Sequence, residues 1–168
     1  MKIIETIVLK GQRLSLRLAS IKDRQLLQEG FSKLSQLSIY NRFHNPKIGL
    51  STKELNYFLN IDNYNHLAIG AITKIKNKEY GIGMIRYIRD KEFPHLAEVA
   101  LAVVDSHQNR GLGTVLYKQV LLFAKENKVK TLTHYVLNEN KIMIKLLKKF
   151  NCKCFPQECG VTKVVVSV

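Results

Sequence analysis

Apolar and polar residues alternate over Leu14-Ser15-Leu16-Arg17-Leu18, the period of a half-buried strand. Ser20 stands three residues before Asp23, a start signal for a helix, and Leu26, Leu27, Phe31 and Leu34 follow with helical spacing. A second short helix is predicted over residues 36–43. Ser51 and Glu54 form a further capping pair ahead of Leu55, Phe58 and Leu59, which predicts a third. The pattern then changes period. Residues 66–75 and 80–88 read as a hairpin about a polar turn at Asn77-Lys78. Residues 97–104 are almost continuously apolar, as an interior strand is, with Glu98 as the one charge. Leu112, Val115, Leu116, Val120, Phe123 and Ala124 then predict an amphipathic helix over 111–127, stopped at Asn127. A strand is expected at 131–137, and a final helix carries Ile142, Met143, Leu146, Leu147 and Phe150. Two strands close the chain, a weaker one at 152–155 and one at 161–168. The order predicts a mixed α/β sheet of about seven strands with four or five helices on its faces.

The 168 residues suit one domain, taken as 1–168 without repeat or linker. With 46% hydrophobic residues the chain can build a core, and disorder is excluded. No stretch reaches the length of a membrane span. The opening MKIIETIVLK is too short for a secretory leader and is broken by Glu5, so a cytoplasmic location is expected. Cys152, Cys154 and Cys159 are odd in number and have no obvious fourth ligand nearby. They are expected to be reduced, partly buried thiols, with no metal site.

Charge adds one piece of information. Twenty-seven basic against 13 acidic residues give a formal +14, a surface that attracts anions. The basic residues are scattered; Lys141, Lys145, Lys148 and Lys149 fit a solvated helix face as well as a binding surface. Neither aromatic-basic interleaving nor a zinc or helix-turn-helix pattern is present, so no nucleic acid partner is expected.

The most informative segment is the apolar strand that runs through a short turn into Gln108-Asn109-Arg110-Gly111-Leu112-Gly113 and then a helix. Unpaired amides at a helix start carry partial positive charge, and a glycine-rich turn admits a ligand close to the backbone. Together they make an anion nest suited to a diphosphate, with Arg110 as a charged donor. The dinucleotide fingerprint fails, because residue 116 is Leu where a third glycine is required; the P-loop fails, because Thr114 rather than lysine follows Gly113. A plain tight turn at the two glycines remains open on these residues alone.

Q-x-x-G-x-G after a central apolar strand resembles the acetyl-CoA motif of the GNAT N-acetyltransferases, and Asn138 to Met143 resembles that family's strand end and last helix. Leu34-Ser35-x-x-Ser38-x-Tyr40-x-Arg42-Phe43, Ala97-Glu98-Val99-Ala100 and Asn140-Lys141-x-Met143 are similar to segments of Pat-type protein-lysine acetyltransferases. The similarity runs from about residue 11 to 150. Asn151-Cys152 departs from the usual Gly-Phe after the last helix. The resemblance does not extend to the partner domains that often accompany such a domain.

The resemblance implies a GNAT fold with an acyl-CoA cleft between the fourth and fifth strands, and acetyl-CoA as cofactor. The cofactor would meet Leu101, Ala102, Val103, Gln108, Asn109, Arg110, Gly111, Leu112, Gly113, Thr114 and Asn140. Tyr40, Arg42 and Phe43 would form the acceptor wall. Glu98 is the expected general base, on one strand face with Ala100 and Ala102; the bland reading is a buried carboxylate satisfied by a neighbouring cation. Leu146 and Leu147 stand where relatives carry a general-acid tyrosine, so no general acid is assigned. The expected activity is acetyl transfer to a primary amine, a protein lysine first and a small amine second. A non-catalytic acyl-CoA-binding module and a nucleic-acid binder compete with it. Oligomeric state is not readable.

Overall fold

The computed structural model describes residues 3–168; Met1 and Lys2, the start of the segment weighed as a leader, lie outside the described residues. Within them the chain order is β1 (Ile3–Leu9), β2 (Gln12–Leu18), α1 (Arg24–Phe31), α2 (Gln36–Phe43), α3 (Thr52–Leu59), β3 (His66–Ile75), β4 (Lys78–Arg89), β5 (Leu96–Val103), α4 (Leu112–Glu126), β6 (Thr131–Leu137), α5 (Lys141–Leu147), β7 (Cys152–Pro156) and β8 (Val161–Ser167). The eight strands make one sheet in the order β1-β2-β3-β4-β5-β6-β8-β7. β5 and β6 run parallel and every other neighbouring pair is antiparallel. No helix among the described residues is long and apolar enough to cross a membrane.

The expected seven strands are therefore eight. β1 was missed because its burial is irregular, with Ile3 and Val8 exposed at the sheet edge, so no clean two-residue period marks it. The expected helices at 36–43 and after Ser51 form where predicted. Ser35 Oγ accepts from the Ser38 amide at the start of α2, and a Ser51–Glu54 capping box opens α3. The β3–β4 hairpin turns one residue earlier than expected, on Lys76 and Asn77 with φ of 48° and 64°, the left-handed pair of a two-residue hairpin.

α4 lies on one face of the sheet. It buries Leu112, Leu116, Tyr117, Val120 and Ala124 against Leu67, Ile69, Ile85, Tyr87 and Leu132. Each large side chain removed from water there stabilises the fold by roughly 1.5–3 kcal/mol. α1, α2 and α3 cover the other face, where Phe31, Phe43 and Phe58 stack in series with centroids 5.8 and 6.3 Å apart. Of the cysteines, Cys154 and Cys159 are exposed and only Cys152 is half-buried, which corrects the expectation of partial burial for all three.

Candidate active site

The decisive feature is an interruption of the sheet. β5 pairs with β4 from Ala97 to Val103, but with β6 only over Leu96, Ala97 and Glu98. Beyond Glu98 the two parallel strands diverge. The β6-side backbone of residues 99–103 is left without a strand partner, in a cleft of about 750 Å³. Main-chain amides and carbonyls left in this way need other partners, and a bound ligand can supply them.

His134 lies buried where the two strands part. It sits on β6 one residue past the last paired position, 2% exposed, with Nε2 2.8 Å from the Tyr117 hydroxyl of α4. A backbone hydrogen bond at Val99 also engages the ring. Burial drives its pKa down to about 3, so the imidazole is neutral. No local pattern marks His134, because its surroundings depend on where two strands part.

The turn after β5 is fixed by side chains from three directions. Gln108 Nε2 donates to the Val103 carbonyl at 2.9 Å and to Ser38 Oγ at 3.0 Å. Asp105 accepts from the Ser35 amide at 2.9 Å and from the hydroxyls of Ser35 at 2.6 Å and Ser38 at 3.0 Å. Burial pushes the Asp105 carboxyl up, but these bonds together hold it below the usual range. The Leu-Ser-x-x-Ser segment thus ties α2 to the loop. His107 bridges to β2, its Nε2 3.1 Å from Gln12 Oε1.

At the start of α4, Gly111 has φ of 92° and space for 4 Å around the position of an added Cβ. Its carbonyl receives the Val115 amide at 3.1 Å, the first bond of the helical ladder. No side chain caps α4, so the amides of Leu112, Gly113 and Thr114 point past the helix end into this open cradle. That arrangement fits a diphosphate. Gly113 has a different reason to be glycine: an added Cβ would come 2.8 Å from Leu146 Cδ1 and 3.4 Å from Leu101 Cδ2. Its lack of a side chain lets α4 approach α5.

Of the expected cofactor residues, Leu101, Ala102, Val103, Gln108, Asn109, Gly111, Gly113, Thr114 and Asn140 line the cleft. Leu112 and Arg110 do not. The Leu112 side chain is core, and Arg110 is exposed. Asn140 also caps α5, its Oδ1 accepting from the Met143 amide at 3.1 Å. Lys141, Lys145 and Lys149 line the wall, whereas Lys148 does not, so three of the four lysines left ambiguous by spacing face the cleft. Of the expected acceptor wall, Arg42 and Phe43 line both the cleft and an adjoining cavity, while Tyr40 lies outside both linings, 45% exposed.

Glu98 lines the cleft at its mouth and is exposed, not buried. Among the described residues it makes no ion pair within 4 Å, and Arg42 is within electrostatic reach. The bland reading of a buried, neutralised carboxylate is thereby corrected. Ala100 and Ala102, next along the same face, leave the space beside it open. Tyr135 also lines the cleft, half-exposed, a residue that spacing did not single out. Among the described residues no three His, Cys, Asp or Glu side chains converge as a metal site would require.

A mixed sheet parted beside a glycine-rich helix start, with a free carboxylate in the cleft, is the arrangement that the sequence resemblance to an acyltransferase fold implies. Residues 36–151 match the Acetyltransferase (GNAT) family, and the chain belongs to it. It is 25% identical over 140 residues to acetyltransferase Pat of Mycolicibacterium smegmatis, a match covering 81% of this chain and 40% of that protein. The chain therefore spans well under half the length of that relative. The crystal structure of the GNAT domain of S. lividans PAT superposes with a TM-score of 0.88 at 26% identity, covering 98% of this chain and 96% of that one. yncA from Salmonella typhimurium, solved with its cofactor acetyl-CoA, shares the fold with a TM-score of 0.73 at 15% identity, covering 92% and 93%.

Proposed function

We propose that the chain transfers the acetyl group of acetyl-CoA to the side-chain amine of a protein lysine. The observation that carries this is the parting of β5 from β6 after Glu98, which sets a free carboxylate, unpaired strand backbone and an anion cradle along one cleft. The acetyl-CoA of the Salmonella protein of the same fold supports the choice of donor. The similarity to Pat and the formal +14, which suits acidic protein surfaces and opposes polycationic small amines, support the choice of acceptor.

Acetyl-CoA supplies the activated acetyl group. The amides of Leu112, Gly113 and Thr114 hold its diphosphate, with Arg110, Lys145 and Lys149 adding positive charge. The unpaired edge of residues 99–103 would hold the pantetheine, and an amide there would serve as donor to the thioester oxygen, a contribution of a few kcal/mol for such a preorganised donor. A lysine amine has a pKa near about 10.4 and is protonated at neutral pH. Glu98 removes that proton, directly or through water, and exposes the nitrogen lone pair. Leu146 and Leu147 of α5 are apolar and cannot protonate the leaving group, so coenzyme A would depart as its thiolate when the thioester C–S bond breaks.

The test is incubation with acetyl-CoA and a proteome extract, beside a panel of small amines, read by mass spectrometry. Acetylated lysine side chains in proteins are the expected product. Acetylation confined to small amines contradicts the lysine reading, and no acetylation of either contradicts amine transfer.

A further inference from the structure

Under α1, α2 and α3, against the sheet face that carries Glu98, lies a second cavity of about 90 Å³. It adjoins the cleft, since Leu34, Arg42, Phe43, Ala100 and Ala102 line both. Its walls are mostly aliphatic and aromatic, yet Arg17, Arg42 and Arg86 reach it. Arg17 is paired with Asp23 at 2.6 Å. Among the described residues Arg86 makes no ion pair. It is 5% exposed, and its polar contacts are Met84 Sδ at 3.4 Å and the face of Phe58, 4.0 Å from the ring centroid. Its Nη1 has no hydrogen-bond partner among the described residues. Arg89, three residues along the same strand, shows what a buried arginine ordinarily finds: it donates to the carbonyls of Tyr64, Pro94 and Asn127.

A buried guanidinium without an anion is costly, and the fold does not relieve that cost. Burial first, and then the charge of Arg42, pull Arg86 down to about 9. Arg42 has the carboxylate of Glu98 within electrostatic reach, whereas Arg86 has the like charge of Arg42 beside it and no carboxylate. Register fixes the distance to the reaction centre. Arg86 pairs with Ala100, and Ile88 pairs with Glu98, so Arg86 and Glu98 occupy diagonal positions on one sheet face. Diagonal neighbours of this kind lie roughly 7–8 Å apart, their Cβ atoms somewhat closer.

We propose that Arg86, with Arg42, binds a carboxylate carried by the acceptor a few bonds from its reacting amine, so that the substrate class is an amine bearing a carboxylate. This rests on the reading of the cleft as an amine acetyl-transfer site and adds what its acceptor must carry. The carboxylate is either that of a free amino acid or the side chain of an acidic residue beside the lysine, and one experiment distinguishes them.

Acetyl transfer from acetyl-CoA is measured for two matched pairs: leucine with leucinamide, and an end-capped Glu-Lys dipeptide with its Gln-Lys counterpart. Each is run with the unmodified protein, Arg86→Met and Arg86→Lys. The carboxylate member of one pair is expected to have at least 10-fold higher kcat/KM, through KM. The preference should vanish in Arg86→Met and partly return in Arg86→Lys. Arg86→Met should melt no lower than the unmodified protein, because an apolar chain replaces an unpaired buried charge. The pair that shows the preference identifies the source of the carboxylate. Equal use of both members, or a preference that survives in Arg86→Met, overturns the proposal while leaving amine transfer standing. If no acceptor is acetylated, amine transfer fails, and thermal shift with leucine and with the capped Glu-Lys dipeptide decides the carboxylate site. A shift in the unmodified protein that is absent in Arg86→Met supports it, and equal responses overturn it.

Discussion

Replacing His134 with glutamine tests the neutral imidazole buried where β5 and β6 part. Glutamine retains a donor and an acceptor for Val99 and Tyr117 but cannot titrate. The folded pKa of His134 is about 3, against about 6.5 for an exposed histidine. Because the folded value is depressed, the stability concerned is fully present above pH 6.5. Below that, the unfolded chain takes up a proton that the folded chain refuses, and stability falls until the pH reaches the folded pKa. Each pH unit in that window costs about 1.4 kcal/mol. Between pH 6.5 and pH 5 the loss from this one group is therefore about 2 kcal/mol. Urea unfolding of both proteins at pH 7.5 and pH 5 isolates it, since the other titrating groups are common to both and cancel in the difference. The unmodified protein should lose about 2 kcal/mol more than His134→Gln over that interval. Parallel losses would mean that the imidazole is hydrated in the folded state, and that it does not plug the divergence of the strands.

Further expectations concern the loop and its supports. Gly111→Val should lower coenzyme A affinity by calorimetry, because φ of 92° is strained for valine and its side chain fills the open cradle. Unchanged affinity would place the diphosphate elsewhere. Gly113→Ala should lower stability through the clash with Leu146, and Leu146→Ala in the same chain should recover part of that loss; strict additivity of the two in urea unfolding would deny the contact. Asp105→Ala removes the acceptor for Ser35 and Ser38 and should raise KM for donor and acceptor together, a steady-state measurement that a purely local defect would fail to reproduce. Arg110→Ala should weaken coenzyme A binding more at low salt than at high salt, because Arg110 is exposed and its charge is screened; equal losses would point to packing instead.

Much of the scaffold was legible because its signals are local. The cap of α3, the apolar run of β5 and the helical period after Gly111 are each short-range patterns. β1 escaped because an edge strand buries too little to keep a strict alternation. The loop at Gly111 could be read from sequence, but the two glycines divide the work in a way that spacing does not reveal: one opens the cradle, the other admits Leu146. Lys141, Lys145 and Lys149 form a stripe whose facing is undefined until α5 is placed beside the cleft. The role of His134 and the missing partner of Arg86 are tertiary facts. The first depends on strands that part, the second on which side chains of three helices reach one sheet face.

The most direct test of catalysis by this cleft is a pH–rate profile of the unmodified protein and Glu98→Gln with the best acceptor, beside a coenzyme A binding isotherm for each. Glutamine keeps the shape of an exposed side chain, so fold and coenzyme A affinity should be unchanged. Turnover should fall by roughly 10² to 10⁴, the usual contribution of a positioned base, and the gap should narrow as pH rises toward the pKa of the acceptor amine. Full activity in Glu98→Gln, or loss of coenzyme A binding with the activity, would contradict the assignment of Glu98 as the base.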